Sequence, residues 1–214
     1  MVSLDSLLSS YSGVVVIDAA SSQIQVGWYG DVNRPVWRSS MEDAGEALFH
    51  CLEGLPIHVR EIGAVVYCEG PGSLLGVRTV ATLIRTWQVL GQKPIFSFRS
   101  LELVALASGE REIGVISDAR RETWHLVEVD ADGHCGAVRR VSRESLPCNL
   151  RLPEHFRTWA ALPAGVIRVP YDISSMLHAT RAIPLFRPVD APDAFAYDTN
   201  HYVTWTPQVH RAPQ

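Results

Sequence analysis

The stretch Glu69-Gly70-Pro71-Gly72-Ser73-Leu74-Leu75-Gly76-Val77-Arg78 constrains the fold more than any other part of this chain, because it joins two segments of different periodicity. Before it, Ile62-Gly63-Ala64-Val65-Val66-Tyr67 is a short apolar run rich in β-branched residues, the pattern of a strand covered on both faces. After it, Leu74, Val77, Val80, Ala81, Ile84 and Trp87 recur at three- and four-residue steps, which predicts an apolar stripe along a helix ending near Gly91. A buried strand, a glycine-rich turn and a long amphipathic helix are the opening of an α/β unit.

The turn has a chemistry of its own. Ser73 stands where its hydroxyl caps the helix, and Gly70 and Gly72 permit backbone angles closed to other residues. Amides bared at a helix N-terminus attract anions, so Gly70, Pro71, Gly72 and Ser73 form a candidate loop for phosphate or carboxylate. Known motifs do not match. The spacing of Gly70, Gly72 and Gly76 is one residue too long for a dinucleotide fingerprint, no Gly-Lys-Ser/Thr follows, and Gly72 directly before Ser73 rules out a G-x-S-x-G elbow. The alternative is a tight strand-to-helix connection with a serine cap and no ligand.

Two further strand-turn-strand units flank it. Val14 to Ala20 is an apolar strand ending in Asp18 and small residues, followed by Gln23 to Tyr29, whose alternation predicts a half-exposed strand and a hairpin. Ile113 to Ser117 is another buried-looking strand, closed by Asp118-Ala119-Arg120-Arg121-Glu122 and followed by Thr123 to Val129.

Together the three pieces resemble the TsaB (YeaZ) family, the bacterial partner subunit needed to make threonylcarbamoyladenosine on transfer RNA. The family's hallmark Gly-Pro-Gly-Ser-Phe-Thr-Gly-Val-Arg is matched from Gly70 to Arg78, with Leu74 and Leu75 for Phe and Thr. Asp18-Ala19-Ala20 stands where Asp-Thr-Ser is usual, and Asp118 to Arg121 matches the family's Asp-Ala-Arg-Arg, with Glu122 where Gly or Asn follows. The likeness covers roughly the first two-thirds of the chain; beyond it the similarity is vague and includes the Tyr202-Val203 pair. The resemblance implies an α/β chain with the actin-like ATPase (ASKHA, ribonuclease H-like) fold, in which two subdomains carry mixed β-sheets flanked by helices. It also implies a non-catalytic subunit that binds and activates a TsaD-type enzyme, alongside a TsaE-type ATPase. Alone, the chain would be a homodimer, and tRNA would be met only through the complex.

In that family two helices build the partner surface. Here Arg78, Thr82 and Arg85 share one polar stripe at i, i+4 and i+7, and the preceding helix offers small and apolar residues. The expected partner-binding residues are Ala44, Leu48, Val77, Arg78, Val80, Thr82 and Arg85. Asp18, Gly70, Pro71, Gly72, Ser73 and Asp118 are the expected remnant of a nucleotide or anion site, with no cofactor required and at most weak nucleotide binding. A rival reading is an enzyme, either a small actin-fold phosphotransferase or a glycoprotease-like hydrolase using the Gly-Pro-Gly-Ser loop. The absence of a phosphate-loop lysine and of a base–nucleophile pair opposes it. A stand-alone homodimeric scaffold is the other rival.

Composition narrows the rest. The 19 basic residues against 23 acidic give a net charge of -4, and their scatter along the chain argues against unaided binding to a polyanion. Cys51, Cys68, Cys135 and Cys148 lack C-x-x-C spacing, as expected of reduced thiols in a cytoplasmic protein. Eight histidines show no metal-ligand spacing, so no metal is expected. No segment reads as a signal or a membrane span. The predicted organisation is an N-terminal extension over 1–13, an ASKHA-like subdomain over 14–108 and a smaller, divergent subdomain over 109–214. Short helices are expected around Pro153 to Trp159 and Ile173 to Thr180. Pro184, Pro188, Pro192, Pro207 and Pro213 mark extended coil that wraps over the body.

Overall fold

The computed structural model describes residues 1–195; Tyr202, Val203, Pro207 and Pro213 lie outside them. Two mixed sheets are built on one plan. The first opens with an antiparallel meander of β1 (Val14–Asp18), β2 (Ile24–Tyr29) and β3 (Val36–Ser40), and adds β4 (Ala64–Gly70) and β5 (Ile95–Arg99) parallel to β1. The second opens with β6 (Ile113–Asp118), β7 (Thr123–Val129) and β8 (Arg139–Ser142), and adds β9 (Leu150–Pro153) and β10 (Ile167–Val169) parallel to β6. The strand order is therefore the same in both sheets, meander on one side and parallel strands on the other. A repeat is present in structure where none is visible in sequence.

Helices α1 (Leu4–Ser10), α2 (Ala44–Glu53), α3 (Leu74–Leu90), α4 (Ser100–Ser108) and α5 (Ile173–Ala179) cover these sheets. Alternate residues of β1 point to opposite faces, and both faces are dry. Val15 and Ile17 pack with Leu48, Val80, Ile84 and Trp87 of α2 and α3. Val14 and Val16 belong instead to a core that runs through Leu101 and Val104 of α4 to Val115 and Val127 of the second sheet. Helix α4 lies between the halves, which is why even its Ser100 and Glu102 are buried.

Several expectations are corrected. Strand β2 is buried along its whole length, because the Gln25 amide finds partners inside: its Nε2 donates to the Tyr171 carbonyl (2.8 Å) and its Oε1 accepts from the Ile173 amide (3.0 Å). The extension over residues 1–13 packs into the body. Ser3 caps α1 by accepting from the Ser6 amide, and Leu4, Leu7 and Leu8 enter the core. The Val2 amide donates to the Phe186 carbonyl (2.8 Å), and Asp5 pairs with Arg181. No helix forms over Pro153 to Trp159; the chain runs from β9 into a turn. After α5, a two-residue strand, β11 (Arg187–Pro188), pairs antiparallel with β5, so the chain returns to the first sheet and the 109–214 unit is not self-contained.

Candidate functional site

Strands β1, β4 and β6 end side by side, and the three turns singled out in the sequence meet there. They line a cleft of about 540 Å³ between the two halves. Its walls include Ala20 to Ser22, Gly70 to Leu75, Ser117 to Arg120, Phe156, Arg157, Trp159 and Phe195. An open α/β sheet places a ligand crevice at the carboxyl ends of its strands, and this cleft occupies that position.

The Gly-Pro-Gly-Ser turn is filled by its own protein. The Ser73 hydroxyl accepts from the Gly76 amide (3.2 Å), which caps α3 as the spacing predicts. The Ser73 amide donates to the Ala20 carbonyl (2.6 Å), and Ser100 donates its hydroxyl to the Pro71 carbonyl (2.6 Å). A Cβ at Gly72 would collide with the Ala20 carbonyl oxygen, and one at Gly76 with that of Ala19. These two glycines therefore serve a close crossing of the β1–β2 turn over the β4–α3 turn. The crossing occupies an amide that an anion cradle would need.

Asp18 and Asp118 are likewise engaged internally. Asp18 is fully buried; its Oδ2 accepts from the Tyr171 hydroxyl (2.8 Å) and its Oδ1 from the Ala20 amide (3.2 Å). Burial pushes its pKa up to about 6, and Tyr171, Cys68 and the backbone amides offset only part of that desolvation. Tyr171 is held edge-on by Phe156, 4.9 Å away. Asp118 accepts from the Arg120 amide (2.6 Å) and from the amides of Trp159 (2.7 Å) and Ala160 (2.8 Å). It thereby ties the β6–β7 turn to the segment after β9. That turn is unusual, since Arg120, Arg121 and Glu122 all take left-handed backbone angles where glycine or asparagine is favoured.

Behind Glu69, which lines the cleft, runs a chain of charges that the sequence reading missed. Glu69 pairs with Arg99 (2.9 Å), Arg99 with Glu102 (3.1 Å), and Glu102 with Arg187 (2.5 Å). Phe195 covers the Arg99 guanidinium, 3.7 Å from its ring centroid. Only the Arg99/Glu102 spacing of i, i+3 was visible beforehand; the partners come from four separate segments. Ser117 has a buried hydroxyl with no hydrogen-bond partner among the described residues. Of potential metal ligands, Asp130, Asp132 and His134 approach one another on an exposed hairpin loop. There Asp130 Oδ1 accepts from the amides of Asp132 and His134, which accounts for the grouping without an ion.

On the outer side of the first sheet, α2 and α3 lie together. Three of the expected surface residues are not on the surface: Leu48, Val77 and Val80 are buried in the core, because the i, i+3, i+4 stripe faces the sheet. Ala44 is half-buried, while Arg78, Thr82 and Arg85 are exposed. Arg85 also donates to the Pro192 carbonyl (2.6 Å), holding the returning chain. The outward stripe of α3 runs Leu75, Arg78, Thr82, Thr86, Val89, with Leu75 73% and Val89 86% exposed. Phe49 of α2 adds a further exposed ring beside Gly45, whose Cβ position faces open space. The threonine hydroxyls of Thr79, Thr82 and Thr86 donate back to carbonyls four residues earlier, which leaves their methyl groups to the surface character.

The comparisons with known proteins agree with this architecture. The chain is similar in structure to YeaZ from Pseudomonas aeruginosa, at 15% identity and a TM-score of 0.58, covering 79% of this chain and 90% of that one. It is similar to the same extent to an uncharacterized protein with similarity to peptidase YeaZ from Pseudomonas aeruginosa, at 14% identity and a TM-score of 0.58, covering 78% and 89%. No curated protein sequence matches the chain significantly. At these identities the structures establish the fold, an actin-like one of the YeaZ type. The family model described as TsaD, tRNA N6-adenosine threonylcarbamoyltransferase, matches residues 20–138, a span that takes in the β1–β2 turn, the Gly-Pro-Gly-Ser turn and the Asp118 turn. Since that match covers more than half of the 214 residues, this chain, with its YeaZ (TsaB)-type fold, belongs to the tRNA N6-adenosine threonylcarbamoyltransferase (TsaD) family.

Proposed function

We propose that this chain is a non-catalytic subunit of the tRNA threonylcarbamoyladenosine pathway, which docks a TsaD-type enzyme through the outer faces of α2 and α3 and holds it in its active arrangement. One observation carries the reading: the residues that would make this a nucleotide-using site are spent on internal bonds, while the paired helices expose Leu75, Val89 and Phe49 to solvent. Side chains of that size, on a stripe with few charges, suit burial against another helix. Nucleotide entering the cleft would bind weakly, since the Ser73 amide is already bonded to Ala20. In this reading the same face pairs two copies when the enzyme is absent. A TsaE-type ATPase completes the assembly in the cytoplasm.

The test is complementation of a strain depleted of its own TsaB, together with co-elution of purified chain and TsaD-type enzyme. Phe49→Glu and Val89→Glu each place a charge in the contact without touching the core. Both should weaken co-elution about tenfold or more while leaving the melting temperature unchanged. Failure of the wild-type chain to complement, with no complex at micromolar concentration, would sink the proposal. Magnesium-ATP titration that gives tight binding and turnover would favour the phosphotransferase instead.

A further inference from the structure

We infer that the second half of the chain carries an RNA contact surface, made by Arg120, Arg121, Arg143 and Arg157 around the exposed indole of Trp159. The sequence scatters these cations over nearly forty positions, and the fold gathers them. Asp118 binds the amides of both Arg120 and Trp159, so the β6–β7 turn and the segment after β9 are one structure. The Arg120 guanidinium stacks on the Trp159 ring at 4.5 Å. Arg140 of β8 donates to the Ala119 carbonyl (3.1 Å) and to Thr123, and Arg143 donates to the carbonyls of Ala161 (3.2 Å) and Leu162 (2.9 Å). Three separate stretches of chain thus converge, each bringing arginine.

Charge and shape point to a nucleic-acid strand. Arg120, Arg121, Arg143 and Arg157 are exposed, and none forms an ion pair among the described residues. The acids around them include Glu122 and Glu144 on the surface, the half-buried Glu154, and Glu69 in the same cleft, which Arg99 already pairs; Asp118 is buried with both oxygens in use. The chain as a whole is at -4, so this concentration of cations is a local reversal. Lys93 is the only lysine among 19 basic residues, and arginine is the side chain that grips phosphate through two parallel bonds. Trp159 is 56% exposed although it is large and aromatic. Its free face, with Arg120 on the ring, is a platform for an unpaired base, which is how single-stranded RNA is recognised. Residues Arg120, Arg121, Arg143 and Arg157 would neutralise phosphates, and Trp159 would stack a base of a tRNA loop.

The inference rests on the proposed role in tRNA modification for the identity of the RNA, and its test is separable from that role. A fluorescein-labelled tRNA anticodon stem-loop is titrated with the full chain alone, and then with the chain bound to TsaD-type enzyme, from roughly 50 to 200 mM salt. Expected is weak, salt-sensitive binding by the chain alone, with Trp159 fluorescence quenched. Arg121→Glu with Arg157→Glu should weaken it about tenfold or more and flatten the salt dependence by about two phosphate contacts, whereas Arg121→Lys with Arg157→Lys should retain most of it. Trp159→Phe should keep stacking and Trp159→Ala lose it. All of these positions are exposed, so folding is checked by an unchanged melting temperature. No binding by the chain alone, or equal binding by the charge-reversed variant, overturns the inference. Equal competition by poly-glutamate also overturns it, by pointing to an acidic protein partner. Intact co-elution with the enzyme alongside either result removes the RNA surface and leaves the docking role standing. RNA binding without co-elution does the reverse.

Discussion

Asp18 is the residue where energetics and fold conflict most directly. Its carboxyl titrates near 6 in the folded chain against an ordinary value of 3.8, because burial outweighs the bonds from Tyr171 and Ala20. The folded state therefore holds a proton that the unfolded state has released between those two values. The stability from this group is complete below about pH 4 and is lost as pH rises through about 6, and the accumulated cost at neutral pH is on the order of 3 kcal/mol. Half-buried groups such as Glu110, whose pKa is lowered by its bond to Arg151, act in the opposite direction, so whole-protein stability is a poor readout. The difference between Asp18→Asn and wild type isolates the group. In urea unfolding, that difference should shift in favour of the variant as pH goes from 4 to 7, and a flat difference would show that Asp18 is not desolvated in solution. Gly76 is a second residue with a definite expectation: alanine there meets the Ala19 carbonyl oxygen, so Gly76→Ala should destabilise by about 1–3 kcal/mol despite favouring the helix. Thermal melts would register this, and an unchanged midpoint would mean that the two turns move apart easily.

Among the elements, those carried by strong periodicity were legible and those carried by long-range partners were not. Helix α3 begins at Leu74 after the Ser73 cap and ends at Leu90 before Gly91, as its apolar steps and flanking residues indicate. Strand β7 was read to the residue, from Thr123 to Val129. The apolar steps that locate α3 also put Val77 and Val80 on its buried stripe; it is the family resemblance that offers them to a partner, and the sheet already covers them. The outward positions at Leu75 and Val89 follow from placing the sheet opposite, which needs the partner strand to be known. Helix α1 has helical spacing at Leu4, Leu7 and Leu8, but its burial is not legible locally. Its seven residues have too little intrinsic stability to stand alone, and only the landing site formed with Phe186 and Arg181, far along the chain, makes it a core element. Leu7→Ala should accordingly cost about 2–4 kcal/mol in denaturant unfolding, as a core leucine does. A surface-docked extension would lose less than about 0.5 kcal/mol.

At the scale of the molecule, the three turns recognised in the sequence do converge, but what binds them together was hidden. Tyr171 on Asp18, Gln25 on Tyr171 and Ile173, and Asp118 on Trp159 and Ala160 all span more than forty residues, and no local pattern announces such pairs. The bonds of Asp18 and Gln25 to the Tyr171–Ile173 segment, with the core that passes through α4, join the two sheets into one body, while those of Asp118 close the second half on itself. Gln25 is the member whose loss is most instructive, because its side chain satisfies the Tyr171 carbonyl and the Ile173 amide at once, with 5% of its surface exposed. Gln25→Leu keeps the bulk and strands both backbone groups, at a cost of about 1–3 kcal/mol each. If the halves are one cooperative unit, the loss should lower a single transition, seen at the same urea concentration by far-ultraviolet circular dichroism and by tryptophan fluorescence. Trp28 and Trp87 lie in the first sheet's core and Trp124 in the second's, so the fluorescence samples both. Two separated transitions in the variant would instead mean that Gln25 is the hinge pin between halves that fold independently, and that the cleft between them opens when it is withdrawn.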